Sequence, residues 1–238
     1  MGTRRGSERK IDERIWNAAI KLFASKGFAA TGIREIGDEA GLSVSAMYYY
    51  VDNKEDLLLK IMRDTQERLV AAGRFVVETL PEPAAGLAGL VELHVAVHAR
   101  SPLEARVVDT EVRALGDEGR REVIALRDEY ESLWNDVLSR GAEAGVFHFR
   151  ELRTTRLALL EMCNGVAAWY SQKGSLGISD VATEFADLAL AMVRAGRGRR
   201  PVTVADLGLP DPEVFVAAVD ELVPPAVGTS EALASAEA

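Results

Sequence analysis

The sequence lacks the features that mark membrane, secreted and metal-binding proteins. Cys163 is the only cysteine among 238 residues, so neither an intrachain disulfide nor an all-cysteine metal site can form. No apolar run approaches the roughly 18 residues that a membrane span requires. The basic residues 1–10 are not followed by an apolar signal region. These absences predict a cytoplasmic protein that does not enter a membrane.

Signatures of catalysis are absent as well. The chain has no phosphate-binding loop, nucleophile elbow or dinucleotide fingerprint. His94 and His98 have the spacing of metal ligands on a helix, but without an HExxH motif or a third ligand a pair of neutral histidines is favoured. Cys163 is interpreted as a buried core thiol rather than a redox sensor. We therefore predict no catalytic residues, no metal and no cofactor, in a protein that is not an enzyme.

Charge is unevenly distributed along the chain. The net charge is −9, yet residues 1–63 carry 11 Lys and Arg against 9 Asp and Glu. The remaining residues carry 17 against 28. A mildly basic end on an acidic body indicates two functions in one chain, and it keeps nucleic acid open as a partner of the first part.

Apolar residues recur at helical spacing, and no segment sustains the period-two alternation of a β-strand. The prediction is therefore an all-α fold, with helix ends marked by capping and breaking residues. The predicted helices are 11–26, a short helix capped by Thr31 and ended by Gly41, 44–51 capped by Ser43, 52–79 with a capping box at Asp52 and Glu55, and about 84–100, 103–115, 118–144, 151–172, 178–195 and 212–222.

The stretch LSVSAMYYYVDNKEDL, residues 42–57, contains three adjacent tyrosines. At about 100° per residue, the short third helix turns its apolar positions inward and a face of small residues plus one tyrosine outward. Such a face fits a DNA major groove, and flanking phenols can reach phosphates. The inward residues are Val44, Met47 and Val51; the outward ones are Ser45, Ala46 and Tyr49; the flanks are Tyr48 and Tyr50.

Two further observations bear on the tyrosines. Lys54 lies at the amino-terminal end of the fourth helix, where a lysine and backbone N–H groups together suit an anion. Gly41 supplies the tight turn that makes the second and third helices a helix-turn-helix. The alternative is an aromatic cluster that packs against neighbouring helices.

Residues 15–58 resemble the amino-terminal DNA-binding domain of TetR-type transcriptional regulators. The matching features are AA..LF..KG in the first helix, IREI..EAGLS, and Tyr48 followed by NKEDLL. The resemblance implies a homodimer that binds a palindromic double-stranded DNA operator, with a larger helical ligand-binding and dimerisation domain. In the family, the DNA-contacting positions match Thr31, Arg34, Ser45, Ala46, Tyr48, Tyr49, Tyr50 and Lys54.

The sequence departs from the family pattern at four positions. Gly32 stands where many members have Thr or Ser, and Gly37 where alanine is usual. Tyr50 replaces a common histidine and Val51 a common phenylalanine. We expect the glycines to loosen the second helix by up to about 1 kcal/mol each, and the four changes to alter operator choice.

Charge, composition and the resemblance together divide the chain into four parts. We predict a basic arm over 1–10, a helix-turn-helix domain over 11–58, a ligand-binding and dimerisation domain over 59–196 and a partly disordered extension over 197–238. In the carboxyl half, the last two long helices resemble the four-helix dimer interface of these regulators; an internal core seam is the alternative. The apolar residues assigned to the interface are Leu157, Leu160, Val181, Phe185, Leu188 and Met192.

The carboxyl half also resembles regulators of fatty-acid and sterol catabolism, in the stretches DTEVRAL, ALRDEYESLW and NGVAAWY. Members of that subgroup are often released from DNA by acyl-CoA thioesters, so the expected function is a repressor with a hydrophobic effector. A neutral aromatic or drug-like effector remains open, as does a helical adaptor without DNA binding. The candidate effector residues are Arg106, Arg113, Trp134, Asn164 and Trp169. The alternative interpretations are solvated surface charges for the arginines and ordinary helix packing for the other three.

Overall fold

The computed structural model describes residues 2–198 and 200–222 and consists almost entirely of helices, which confirms the predicted all-α fold. None of the described helices is long and apolar enough to cross a membrane. The helices are α1 Gly2–Lys26, α2 Ile33–Ala40, α3 Val44–Tyr50, α4 Lys54–Thr79, α5 Pro83–Arg100, α6 Pro102–Thr110, α7 Asp117–Glu143, α8 Leu152–Asn164, α9 Val166–Trp169, α10 Ile178–Met192 and α11 Pro212–Leu222.

Four short elements complete the described chain. The 3-10 helices are η1, Glu111–Ala114, and η2, Val204–Asp206. The strands β1, Gly196–Arg197, and β2, Arg200–Pro201, form an antiparallel hairpin in which Gly196 faces Pro201. Residues 197–238 were predicted to be partly disordered; residues 200–222 form the second strand of this hairpin, η2 and α11, and the final residues of the prediction lie outside the described ones.

The chain forms two compact units. The first contains residues 2–67 and 103–126, and the second contains residues 68–102 and 127–222. The predicted DNA-binding domain ended at residue 58, with residues 59–196 assigned to the ligand-binding and dimerisation domain. The first unit is larger because Val107, Val108, Leu115 and Val123, all far along the sequence, are buried in the same core as the helix-turn-helix.

The core of the first unit draws on every one of its helices. Aromatic residues of α1 are buried with apolar residues from α2, α3, α4 and the later segment. The largest fully buried side chains among them are Ile15, Ile20, Phe23, Ile36, Met47, Leu58, Ile61 and Met62.

Two predicted helix caps are wrong by one residue. Gly32, rather than Thr31, precedes α2, and its backbone N–H donates to Glu35 Oε2 at 3.0 Å. Asn53, rather than Asp52, caps α4, since its Oδ1 accepts from the backbone N–H of Asp56 at 2.9 Å. Both short-range acceptors satisfy N–H groups at a helix start that have no partner within the helix.

The second unit is built around α5, whose residues are buried along nearly the whole helix. It packs against α8, α9, α10 and α11. The predicted helix over 151–172 is divided, because α8 ends at Asn164 and α9 ends at Trp169, after which Tyr170 is extended. Helix α11 contributes Phe215, which is 1% exposed and meets Phe75 edge-on.

Candidate nucleic-acid interface and buried polar cluster

The turn between α2 and α3 fixes the angle of the helix-turn-helix. Gly41 adopts a left-handed conformation, with φ 65° and ψ 39°, which a residue without Cβ takes at little cost. Leu42 N–H then donates to Gly37 O at 2.8 Å. A Cβ on Gly37 would lie 3.0 Å from Met47 Cγ and 3.2 Å from Leu42 O. Gly37 therefore permits the close approach of α3. The lower helix propensity of this glycine in α2 accompanies tight packing between the two helices.

Helix α1 is joined to the same frame through polar side chains. The Arg14 guanidinium donates to the carbonyl oxygens of Ala40 and Gly41. Lys26 Nζ pairs with Glu35 Oε1 at 2.7 Å, and this contact lowers the pKa of the Glu35 carboxyl. These bonds orient α2 against α1, although exposed ion pairs add little to stability.

Helix α3 presents its polar face to solvent as the helical spacing predicts. Met47 and Val51 are 0% and 5% exposed, whereas Tyr48 and Tyr49 are 57% and 78% exposed. Ser45 is exposed on the same helix. Large aromatic side chains that leave the core in this way indicate a binding surface rather than packing.

The other predicted DNA-contacting residues occupy different environments. Arg34 is exposed in the first turn of α2, and Ala46 is half-buried. Tyr50 packs partly against the core and meets the Tyr49 ring edge-on, with 5.1 Å between ring centres. Tyr50 therefore supports the exposed tyrosine as well as flanking it.

Thr31 turns its side chain into the protein and away from solvent. The residue is 2% exposed, and its hydroxyl donates to Gly27 O at 2.9 Å. The prediction assigned Thr31 a helix cap and a DNA contact. The hydroxyl instead closes the loop between α1 and α2, because the Gly27 carbonyl after α1 is the nearer acceptor.

Lys54 has a structural role that the sequence did not indicate. Its Nζ donates to the carbonyl oxygens of Phe28 at 2.7 Å and Thr31 at 2.8 Å, and it lies 4.1 Å from the centre of the Phe28 ring. An ammonium group has three N–H donors. Two are used within the protein, which leaves one for an anion.

The second unit contains a connected set of polar side chains, which we call the His94 cluster: the buried His94, His98, Tyr130 and Trp134 and the half-buried Asn164. His94 Nε2 lies 2.8 Å from Asn164 Oδ1, and its Nδ1 lies 3.2 Å from the Tyr130 hydroxyl. His98 stacks on His94 with 4.1 Å between ring centres, and its Nδ1–H donates to His94 O at 2.9 Å. Trp134 packs edge-on against His94 and Tyr130.

Burial disfavours the charged forms of two members of this cluster, His94 and Tyr130. Desolvation holds the pKa of His94 well below its usual range, and the neighbouring His98 lowers it further. Desolvation also raises the pKa of the Tyr130 hydroxyl and of the Cys163 thiol far above their usual values. The described residues contain no group of three or more His, Cys, Asp or Glu side chains arranged to hold a metal ion.

The candidate effector residues belong to both units. Trp134 and Asn164 belong to the His94 cluster, whereas Arg106 and Arg113 are exposed residues of the first unit. Trp169 is 55% exposed and stacks on Phe185, with 6.1 Å between ring centres. Tyr130 was missed by sequence reasoning; its spacing of four from Trp134 on one helix was the available signal.

The predicted dimer face divides into exposed and buried residues. Leu157, Leu188 and Met192 are 40%, 47% and 42% exposed. Leu160 and Val181 are buried in the core of the second unit, as the alternative of an internal core seam predicts for these two. The helices α8 and α10 carry apolar residues on more than one face, and Leu160 and Val181 lie on the face that turns inward.

These features define a helix-turn-helix DNA-binding protein with a second, larger helical unit. Residues 15–61 match the family model described as "Bacterial regulatory proteins, tetR family". Residues 80–193 match the family model described as "Tetracyclin repressor-like, C-terminal domain". The chain belongs to the TetR family of bacterial regulatory proteins.

Similar proteins span most of the chain. The HTH-type transcriptional repressor KstR2 of Rhodococcus jostii is 28% identical over 185 residues, covering 74% of this chain and 87% of that protein. The TetR family transcriptional regulator PfmR of Thermus thermophilus has a TM-score of 0.68 at 30% identity, covering 77% and 99%. AibR, solved in complex with isovaleryl coenzyme A and operator DNA, shares the fold at a TM-score of 0.66 and 19% identity, covering 75% and 97%.

Proposed function

We propose that the protein is a ligand-responsive transcriptional repressor that binds a palindromic DNA operator. The observation that carries this proposal is the outward placement of Tyr48 and Tyr49 on α3, above a buried Met47. Family membership and the names of relatives such as the repressor KstR2 support it. The similar proteins are named as transcriptional regulators, which favours a regulator over an enzyme.

The roles on DNA follow from exposure. Ser45, Ala46 and Tyr49 face the bases, and Tyr49 reads the operator because it projects furthest. Tyr48 and Arg34 bind phosphates from the flanks. Lys54 fixes the loop before α2 through two carbonyls and offers its third N–H to a phosphate.

The protein acts as a homodimer. One helix as short as α3 reads few bases, so selectivity requires two half-sites, centred about one DNA turn apart or a little more. The exposed apolar residues Leu157, Leu188 and Met192 on α8 and α10 provide the surface, and the Trp169–Phe185 stack extends it. Exposed apolar side chains on two long helices are typical of a protein interface.

The effector is a hydrophobic metabolite, with an acyl-CoA thioester as the first candidate. The support is the resemblance of the carboxyl half to fatty-acid and sterol regulators, together with the isovaleryl coenzyme A bound to AibR. Arg106 and Arg113 are exposed and can pair with phosphates. Release from DNA requires that the effector bind one conformation of the protein more tightly than the other.

A neutral aromatic or drug-like effector is the second candidate. The His94 cluster favours it, because burial disfavours charge on His94 and Tyr130, so these two side chains offer no cation to a phosphate. Trp134 and Asn164 then orient a neutral polar group, while the surrounding apolar core receives the rest of the molecule.

DNA binding is tested by selecting sequences from a random pool of duplexes with the full-length protein. We expect a palindrome to be enriched, and its affinity to fall steeply between about 50 and 200 mM salt, as roughly six to ten phosphate contacts require. Light scattering should give a dimer. A pool that is not enriched refutes the repressor proposal, and a monomer at micromolar concentration refutes the dimer.

The effector is tested by thermal shift with CoA thioesters of several chain lengths and with free neutral hydrophobes. A thioester that stabilises the protein and releases the selected duplex supports the first candidate. Stabilisation by free hydrophobes alone supports the second. The variants Arg113→Ala and Asn164→Leu separate the candidates further, since each should reduce the response to one class only.

A further inference from the structure

We propose that Glu111 is a positioning residue for DNA binding, which holds the loop before α2 from a segment that lies far along the chain. This inference rests on the proposed function. Glu111 is the first residue of η1 and belongs to the first unit. Its Oε1 accepts a hydrogen bond from the backbone N–H of Phe28 at 3.2 Å.

The loop that Glu111 holds, residues 27–32, connects α1 to α2 and is closed from several sides. Gly27 takes φ +83°, and the place where its Cβ would stand lies 3.5 Å from Glu111 Oε1. Lys54 binds the carbonyl oxygens of Phe28 and Thr31. Lys54 therefore donates hydrogen bonds to two carbonyl oxygens of the loop, and Glu111 accepts one from the N–H of Phe28.

A second bond ties the far end of the same segment to the start of α4. Glu55 Oε1 accepts from the backbone N–H of Gly116 at 2.7 Å. Between the two bonds, Leu115 is buried and Val112 packs against the core of the first unit. Residues 111–116 are thus fixed at both ends, to the loop before α2 and to the helix that follows α3.

The consequence for DNA binding follows from the order of elements. The loop leads into α2 at Ile33, and α2 carries α3 through the turn at Gly41. A displacement of Phe28 therefore changes the direction in which Tyr49 projects. Glu111 itself needs no contact with DNA, so it acts on the geometry of recognition and not on the number of phosphates bound.

The test compares full-length variants on the duplex selected by the wild-type protein and on a scrambled duplex. Glu111→Ala removes the acceptor, and Glu111→Met removes it while largely filling the space. Glu111→Gln removes the charge but retains an oxygen that accepts from Phe28. Glu118→Ala is the matched control, because Glu118 is an exposed carboxylate of the same unit.

We expect Glu111→Ala and Glu111→Met to bind the selected duplex about tenfold more weakly, the size expected for one lost hydrogen bond to a charged group. Glu111→Gln and Glu118→Ala should stay within about twofold of wild type. The salt slope should be unchanged in every variant, since no phosphate contact is lost. The preference for the selected over the scrambled duplex should fall only where the acceptor is lost.

Hydrogen exchange gives a readout that does not depend on DNA. The amides of residues 27–32 should exchange faster in Glu111→Ala and Glu111→Met than in Glu111→Gln or wild type. If the acceptor-lacking variants bind and exchange as Glu118→Ala does, the positioning role is refuted. Equal losses in Glu111→Gln and Glu111→Met also refute it, because charge would then be the cause. If the wild-type protein selects no duplex, the proposed function fails instead.

Discussion

Tyr49 in the first unit is 78% exposed, whereas Tyr130 in the second is 4% exposed, although both lie on helices with apolar inward faces. Tyr130 is hydrogen-bonded to His94 inside the core. Tyr49 leans on Tyr50 and has its polar atom in solvent. The hydroxyl of a tyrosine is thus satisfied internally in one region and left for a partner in the other.

The same contrast extends to the charged groups. In the first unit, the Lys54 ammonium and the Glu111 carboxylate bind backbone groups of a single loop. In the second, burial raises the pKa of Glu92 and lowers that of His94, so that both resist carrying charge. The first unit uses charge to shape a surface, and the second excludes charge from its interior.

The largest expected effect is on stability, and it should distinguish a buried aromatic residue, Trp134, from an exposed one, Tyr49. Trp134→Ala should lower the free energy of unfolding by about 3–5 kcal/mol, because a fully buried indole leaves a cavity. Tyr49→Ala should change that free energy by less than about 0.5 kcal/mol, yet alter which operator is preferred. Urea denaturation and competitive binding to pools of duplexes measure the two effects. A uniform loss of affinity in Tyr49→Ala would contradict its role in reading bases.

The next effect concerns Lys54. Removing its ammonium leaves the carbonyls of Phe28 and Thr31 without this donor, so Lys54→Ala should lower the free energy of unfolding by roughly 1–3 kcal/mol. If its third N–H also binds a phosphate, the salt slope should fall by about one. Lys60→Ala is the control, since Lys60 pairs with Asp56 on the surface. Equal stability of the two variants would contradict the loop-holding role.

A smaller effect should appear on changing pH. Burial, opposed by the hydrogen bond from the Thr183 hydroxyl and reinforced by the nearby Asp211 and Asp187, raises the pKa of Glu92 to about 7. Because the ordinary carboxyl pKa is 4.5, the folded protein binds this proton more tightly than the unfolded chain does. Its contribution to stability is therefore present below pH 4.5 and is lost as the pH rises through about 7.

Glu92→Gln removes that titration. The thermal midpoint of the variant should match wild type near pH 4.5 and exceed it increasingly up to about pH 7, after which the difference should level off. Glu161→Gln, which removes an exposed carboxylate of the same unit, serves as the control. A pH-independent difference between Glu92→Gln and wild type would count against the raised pKa.

The smallest effect is expected from one hydroxyl. Tyr48→Phe should weaken binding to all duplexes by about the same factor, roughly three- to tenfold, which corresponds to about 1 kcal/mol for a lost hydrogen bond. Stability should not change, since Tyr48 is 57% exposed. Titrations on the selected and scrambled duplexes measure this, and unchanged affinity in a folded variant would remove Tyr48 from the phosphate contacts.

Much of the fold follows from the sequence because its signals are local. Helical spacing predicts most helices within a few residues, and Gly41 and Ser43 mark the turn and the start of α3. Thr31 was assigned to the cap of α2 from its place in the sequence, and only the folded loop brings Gly27 O within 2.9 Å of its hydroxyl.

The remaining features depend on contacts between distant parts of the chain. No spacing rule connects Glu111 to Phe28, or Lys54 to the loop that it holds. The helices α8 and α10 carry apolar residues on more than one face, so the pattern alone could not separate buried Leu160 from exposed Leu157. Periodicity identifies a helix, but packing chooses which apolar face turns inward.

The core shared by the helix-turn-helix and residues 103–126 has a practical consequence for building chimeric regulators. Val107, Leu115 and Val123 are almost completely buried against the amino-terminal helices. A transplant that joins residues 1–67 to a foreign sensor would expose the apolar surface that these side chains cover. Exchange of DNA specificity between such proteins should therefore succeed when two separate stretches are grafted together, or when only the outward residues of α3 are rewritten in place.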